Sequence, residues 1–120
     1  MNGSAVDTNV IIKFLNGDEK ARQIFDDNQD IAIPVTVIGE LTFGAYKSAR
    51  KQENLELFNG FVSQYPILLI DKEVADMYGE IKADLASKGI NLPENDIWIA
   101  ATAKANKRNV ISFDVHFSHM

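Results

Sequence analysis

The sequence predicts an α/β domain around a mainly parallel sheet of about four to five strands, with helices on both faces. Three observations predict it: short β-type runs followed by polar or turn-like residues, apolar stripes at helical spacing between them, and helix-ending residues at the joins. The first run is Ser4–Val6, after which Asp7 opens a helix that Gly17 is placed to end. Ile31–Ile33 is the second run. A helix beginning near Thr36 follows, with Ile38, Leu41, Ala45 and Ala49 as its apolar stripe, and Leu55, Phe58 and Val62 make another. Ile67–Ile70 reads as the third strand, and Asp71 before Lys72, Glu73 and Val74 reads as a helix cap. Val74, Met77, Tyr78, Ile81 and Leu85 recur on one helical face, and Gly89 is placed to stop that helix. Pro93 suits the first turn of a last helix over Ile97–Asn106, and Asn109–Ile111 is the final strand. Strands alternating with helices imply parallel pairing through right-handed crossovers.

The 120 residues carry no repeat, linker or low-complexity tract, so one domain over 1–120 is expected. The longest apolar runs, such as Val10–Ile12 and Ile67–Ile70, fall far short of a membrane span. The opening Met1-Asn2-Gly3-Ser4 lacks the basic and apolar blocks of an export signal, so a cytoplasmic home is expected. With no cysteine, disulfides and thiolate metal sites are excluded. A net charge of -5 argues against general polyanion binding, which comes from Lys and Arg neutralising phosphates. A nucleic-acid role therefore needs a local source of positive charge. A carboxylate site that recruits divalent cations supplies one.

Four acids fall where such a site forms. In open parallel sheets, ligands sit beyond the carboxyl ends of the strands. Asp7 and Asp114 stand at strand exits, after Val6 and after Asn109-Val110-Ile111-Ser112-Phe113. Asp96, after Leu92-Pro93-Glu94-Asn95, belongs to the opening turn of a helix. Each has a bland alternative: a helix cap for Asp7, a favourable helix-dipole contact for Asp96 and a turn residue for Asp114. Glu40 is harder to explain that way. Gly39 occupies the place a capping-box acid would need, and Thr36, Val37, Phe43 and Gly44 offer no ion-pair partner. Four carboxylates on one rim repel one another unless cations bridge them, and an oxygen-only donor set favours Mg²⁺ or Mn²⁺ over zinc.

Asp7-Thr8-Asn9, Ile38-Gly39-Glu40-Leu41, Leu92-Pro93-Glu94-Asn95-Asp96-Ile97-Trp98-Ile99-Ala100-Ala101 and Ser112-Phe113-Asp114-Val115-His116-Phe117 together resemble the signature segments of VapC-type PIN-domain toxins. The match in order and spacing runs from about Ala5 to Phe117. The resemblance implies a three-layer PIN-like sandwich and a metal-dependent endoribonuclease, the toxin of a toxin–antitoxin pair. It implies that Asp7, Glu40, Asp96 and Asp114 hold one or two Mg²⁺ or Mn²⁺ ions, with Thr8, Asn9 and Ser112 supporting them. A water nucleophile, 5'-phosphate and 3'-hydroxyl products, an RNA substrate, a homodimer and a cognate antitoxin follow from the same resemblance. The sequence departs from the family pattern in two ways: it stops at Met120, short of the usual edge strand, and Phe113 stands where a smaller or polar residue is usual.

Lys13, Lys47, Arg50, Lys51, Lys104, Lys107 and Arg108 are candidate phosphate contacts, the last three as one patch; the alternative is plain surface charge. His116 and His119 are given no role. A receiver domain would accept a phosphoryl group at Asp71, but Asp71 reads as a helix cap, the paired acids expected near the first strand are missing, and the last strand lacks the lysine that fold uses. A haloacid-type phosphatase needs an acid where Asn9 stands. The remaining alternative is a catalytically quiet PIN domain serving as an RNA-binding or scaffold module.

Overall fold

A computed structural model describes residues 3–120. Met1 and Asn2, which open the stretch read above for an export signal, lie outside the described residues. Four strands form one parallel sheet: β1 (Ser4–Val6), β2 (Ile31–Pro34), β3 (Ile67–Leu68) and β4 (Asn109–Ile111), in the order β3-β2-β1-β4. Six helices connect them: α1 (Thr8–Leu15), α2 (Glu19–Asp27), α3 (Val35–Tyr46), α4 (Lys51–Val62), α5 (Lys72–Ser87) and α6 (Glu94–Ala105). A short 3-10 helix, Val115–His119, closes the chain. Helices cover the sheet as the three-layer arrangement requires.

The central strands are short and apolar because both faces are covered. Ala5, Val6, Ala32 and Ile33 are fully buried, and they join Val10, Ile11, Val37, Leu41 and Ile99 in the main core. A second cluster, Val74, Ile81, Leu85, Ile97, Ala100 and Ala101, zips α5 to α6. Tyr78 stacks on Trp98 at 3.9 Å beside it. Gly17 and Gly89 do terminate their helices, with φ of +82° and +69°, a backbone region costly for residues bearing a Cβ.

Several boundaries differ from the sequence reading. The stripe through Ala49 is cut short, since α3 ends at Tyr46 and Ala49 is exposed. Position 45 is therefore the last that reaches the core from this helix. Pairing in the third strand stops at Leu68, leaving Leu69 and Ile70 exposed on the approach to α5. The last helix starts at Glu94, three residues before the expected Ile97, and Pro93 sits just ahead of it. Helix α2, which the sequence reading did not mark, buries Ala21 and packs Ile24 and Phe25 against the main core, with the Phe25 ring 4.6 Å from that of Phe14; Asp18 caps it, its carboxylate accepting from the Ala21 N–H at 3.0 Å.

The strand order decides where a site can lie. From β1 the chain steps to β2 and β3 on one side, then crosses to β4 on the other. The reversal leaves a crevice beyond the carboxyl ends of β1 and β4. Asp7 leaves β1 there, and Ser112 leaves β4.

Candidate metal centre

Asp7 caps α1, and its Oδ1 accepts the Thr8 N–H at 2.7 Å. Its other oxygen is not spent on the helix: Oδ2 accepts the Ser112 hydroxyl at 2.8 Å, across the crevice. The residue is 6% exposed. Burial pushes its carboxyl above the ordinary range, partly offset by the Ser112 and Thr8 bonds, and the charges of Asp96 and Glu40 push the same way.

Ser112 is the hub of the crevice. Besides donating to Asp7, its oxygen accepts the Asn9 amide at 3.2 Å and the Asp114 backbone N–H at 2.9 Å. Asn9 Oδ1 in turn accepts the Phe113 N–H at 3.2 Å. Residues 112–114 are thus laced to the first turn of α1, which fixes the direction in which Asp114 leaves the strand.

Glu40 lies in the second turn of α3 and faces the same crevice. The Thr8 hydroxyl donates to Glu40 Oε1 at 2.7 Å, so the residue after the first acid holds the second. Asn95 Nδ2 stands 3.5 Å from Glu40 Oε2, a long contact at the rim. Asp96, in the first turn of α6, and Asp114, which caps the 3-10 helix, meet at His116: its Nδ1 is 2.6 Å from Asp96 Oδ2 and 3.1 Å from Asp114 Oδ1. Asp96, Asp114 and His116 each bring one ligand-type atom within 4.8 Å of the others. Asp7 and Glu40 stand outside that tight group and join it through the hydroxyls of Ser112 and Thr8.

The four acids found in the sequence therefore share one crevice. Among the described residues, none of them pairs with a lysine or arginine. His116 is the residue sequence reasoning left out. Its signal was the spacing Asp114-x-His116, which on a 3-10 turn folds the ring back toward the acid two positions before it. The Asp96 hydrogen bond raises the His116 pKa; desolvation of the half-buried ring works against this, and the charges of Asp114, Asp96 and Asp7 add to the rise.

The expected basic patch dissolves. Arg108 points to the opposite end of the sheet, where its Nη1 donates to Asp30 Oδ1 at 2.9 Å and to the carbonyls of Ser4 and Asp30 at 3.2 Å. It is a clasp between the starts of β1 and β2, and neighbouring Gly3 leaves no room for a Cβ beside it. Lys104 donates to the Met120 carbonyl at 2.9 Å, and Lys107, at φ +56°, closes α6. Arg50 pairs with Glu53 at 3.5 Å, while Lys47 and Lys51 lie over the rings of Phe43 and Tyr46. Of the seven, Lys13 stays beside the crevice, 5.5 Å from the centroid of the Phe113 ring.

An all-parallel sheet with carboxylates gathered at its switch point, supported by hydroxyls and, among the described residues, paired with no lysine or arginine, is the arrangement of acidic-centre nucleases. The PIN domain family model matches residues 5–120, and the chain belongs to the PIN-domain family, among its VapC-type ribonucleases. It is 34% identical over 102 residues to a tRNA(fMet)-specific endonuclease VapC of Shigella flexneri, covering 83% of this chain and 77% of that one. It is 27% identical over 114 residues to ribonuclease VapC2 of Rickettsia felis, covering 92% and 85%. The fold is similar to DNA-bound VapBC from Salmonella typhimurium, with a TM-score of 0.89 at 30% identity over 100% of this chain and 92% of that one.

Proposed function

We propose that the chain is a Mg²⁺- or Mn²⁺-dependent endoribonuclease that hydrolyses RNA phosphodiesters, and that it acts as the toxin of a toxin–antitoxin pair. One observation carries the reading: four carboxylates, drawn from four parts of the sequence, face one crevice, and among the described residues no lysine or arginine pairs with them. Crowding buried and half-buried anions is costly, the one histidine facing Asp96 and Asp114 offsets part of that cost, and a divalent cation removes the rest. The donor set of hard carboxylate oxygens suits Mg²⁺ and Mn²⁺. Asp7, Glu40, Asp96 and Asp114 hold the ion or ions in this reading.

A divalent ion supplies Lewis acidity toward phosphate and acidifies the attacking water. The chain's own residues do the rest. Ser112 keeps the Asp7 and Asp114 carboxylates at a set separation, and Thr8 holds Glu40 to the same rim. Lys13 and the half-exposed Phe113 ring form the wall that RNA meets, one offering charge to a phosphate and the other a face to a base. The fold is also similar to VapBC-5 from Mycobacterium tuberculosis, a member of the VapBC family of toxin-antitoxin systems, and a cognate antitoxin is the partner proposed here. No helix of the described residues is long and apolar enough to cross a membrane.

Purified protein incubated with an RNA pool tests the reading. Cleavage is expected with Mg²⁺ or Mn²⁺, is lost on chelation, and falls by about 100-fold or more in Asp7→Ala and Asp96→Ala. Cleavage indifferent to chelator and to both substitutions overturns it. RNA binding with no cleavage under any metal favours the quiet module instead.

A further inference from the structure

His116 lies in the space between two of the acids, and nothing in the nuclease reading so far uses it. The backbone explains why it is there: the His116 N–H donates to Asp114 Oδ1 at 2.9 Å, and this turn directs the ring back over the acid toward α6. Nδ1 then stands 3.1 Å from Asp114 Oδ1 and 2.6 Å from Asp96 Oδ2.

Those spacings resemble the edge of a coordination shell. Two neighbouring ligands on an octahedral ion, each about 2.1 Å from it, lie roughly 3.0 Å apart. The Asp114 contact already has that length, and the Asp96 contact needs to open by only about 0.4 Å. A histidine that merely orients a ligating carboxylate from outside needs to approach one acid. Here the same ring nitrogen faces both, on the side where their oxygens converge.

We infer that His116 is a nitrogen ligand of the active-site cation, and that it biases this centre toward Mn²⁺ over Mg²⁺. The inference rests on the metal reading proposed above. Its chemistry is that of donor softness: Mg²⁺ prefers carboxylate and water oxygens and dehydrates reluctantly, whereas first-row transition ions accept imidazole readily. A site of oxygens alone discriminates weakly between the two ions. One ring nitrogen makes it discriminate.

The test is pulsed electron paramagnetic resonance on the Mn²⁺-loaded full chain. A ¹⁴N hyperfine coupling is expected in the unaltered protein, replaced by the ¹⁵N pattern after labelling with ¹⁵N-histidine. The chain has two histidines, so His119→Gln should keep the signal and His116→Gln should lose it. Calorimetric titration of the same proteins reads selectivity: His116→Gln should weaken Mn²⁺ by about tenfold or more while changing Mg²⁺ by less than about threefold. The labelling arm needs no substitution, so a poorly folded variant leaves the inference falsifiable. Tight Mn²⁺ binding without nitrogen coupling overturns the role of His116 and leaves the nuclease reading standing. Failure of either ion to bind the unaltered protein overturns both.

Discussion

Removing the Ser112 hydroxyl should damage this protein in a pH-dependent way. One oxygen donates to a buried carboxylate at 2.8 Å and accepts from Asn9 and from the Asp114 backbone at 3.2 and 2.9 Å. A hydrogen bond to a charged group contributes about 1.5–3 kcal/mol and a neutral one about 0.5–1.5 kcal/mol. Water replaces part of this at a half-exposed rim, so Ser112→Ala should cost about 2–4 kcal/mol at neutral pH, lowering Tm by roughly 10 °C. The sign of the pH effect follows from Asp7. Burial holds its folded carboxyl above the ordinary 3.8, so its stabilising contribution is complete below that value and is lost as pH rises through the raised one. The Ser112 bond to the carboxylate limits that loss, and deleting it enlarges the loss. The penalty of Ser112→Ala should therefore be smaller at about pH 3 than at about pH 7, as read by urea denaturation of both proteins at each pH. Ser112→Thr, which keeps the hydroxyl, should recover most of it. An equal penalty at both pH values, or no recovery with threonine, refutes the reasoning.

Three further outcomes follow from particular contacts. Phe113→Ala should raise KM for RNA by about 5- to 100-fold with kcat little changed, because a lost base stack is worth about 1–3 kcal/mol; Phe113→Trp should keep affinity, and steady-state kinetics decide. Thr8→Val preserves the backbone N–H that Asp7 accepts but removes the hydroxyl from Glu40, so activity should drop by about 10- to 100-fold, with the melting curve distinguishing this from unfolding. Arg108→Ala should lower stability by about 2–3 kcal/mol in denaturant titration while leaving RNA affinity within about twofold, since the clasp lies at the far end of the sheet from the crevice.

What was legible in the sequence followed from two periodicities and one rule of topology. Ser4–Val6 stood out as a strand because both its faces are covered, Asn109–Ile111 because a short apolar run follows the end of a helix, and α5 because Val74, Ile81 and Leu85 share a face. Asp7, Asp96 and Asp114 could be named because strand exits and helix starts at the carboxyl edge were countable positions, and Glu40 because no capping or ion-pair partner lay beside it on its helix. Helix α2 was not read from the sequence: its stripe is confined to Ala21, Ile24 and Phe25 over a single turn, and polar residues fill the rest of the helix. The fate of Arg108 was not legible either, since its partners, Ser4 and Asp30, lie 104 and 78 residues away. His116 was hidden for a related reason. A histidine near the end of a sequence looks exposed until the turn that aims it is known.

The crevice also shows how a chain of net charge -5 tolerates concentrated negative charge before any cation arrives. Three of the four acids occupy helix starts: Asp7 caps α1, Asp96 is in the first turn of α6, and Asp114 caps the 3-10 helix. At the two α-helices, the N-terminal end of the macrodipole favours an anion by about 0.3–1 kcal/mol, and at Asp7 and Asp114 a backbone N–H bonds the carboxylate as well. Glu40, in mid-helix, has no such help and depends on the Thr8 hydroxyl instead. The support is therefore local and partial, enough to keep the carboxylates facing one another but too small to neutralise them. That imbalance favours cation binding: Asp7 and Glu40 are oriented by hydroxyls that leave their charge intact, and the one histidine facing Asp96 and Asp114 offsets only part of theirs, so the attraction for a divalent ion survives folding.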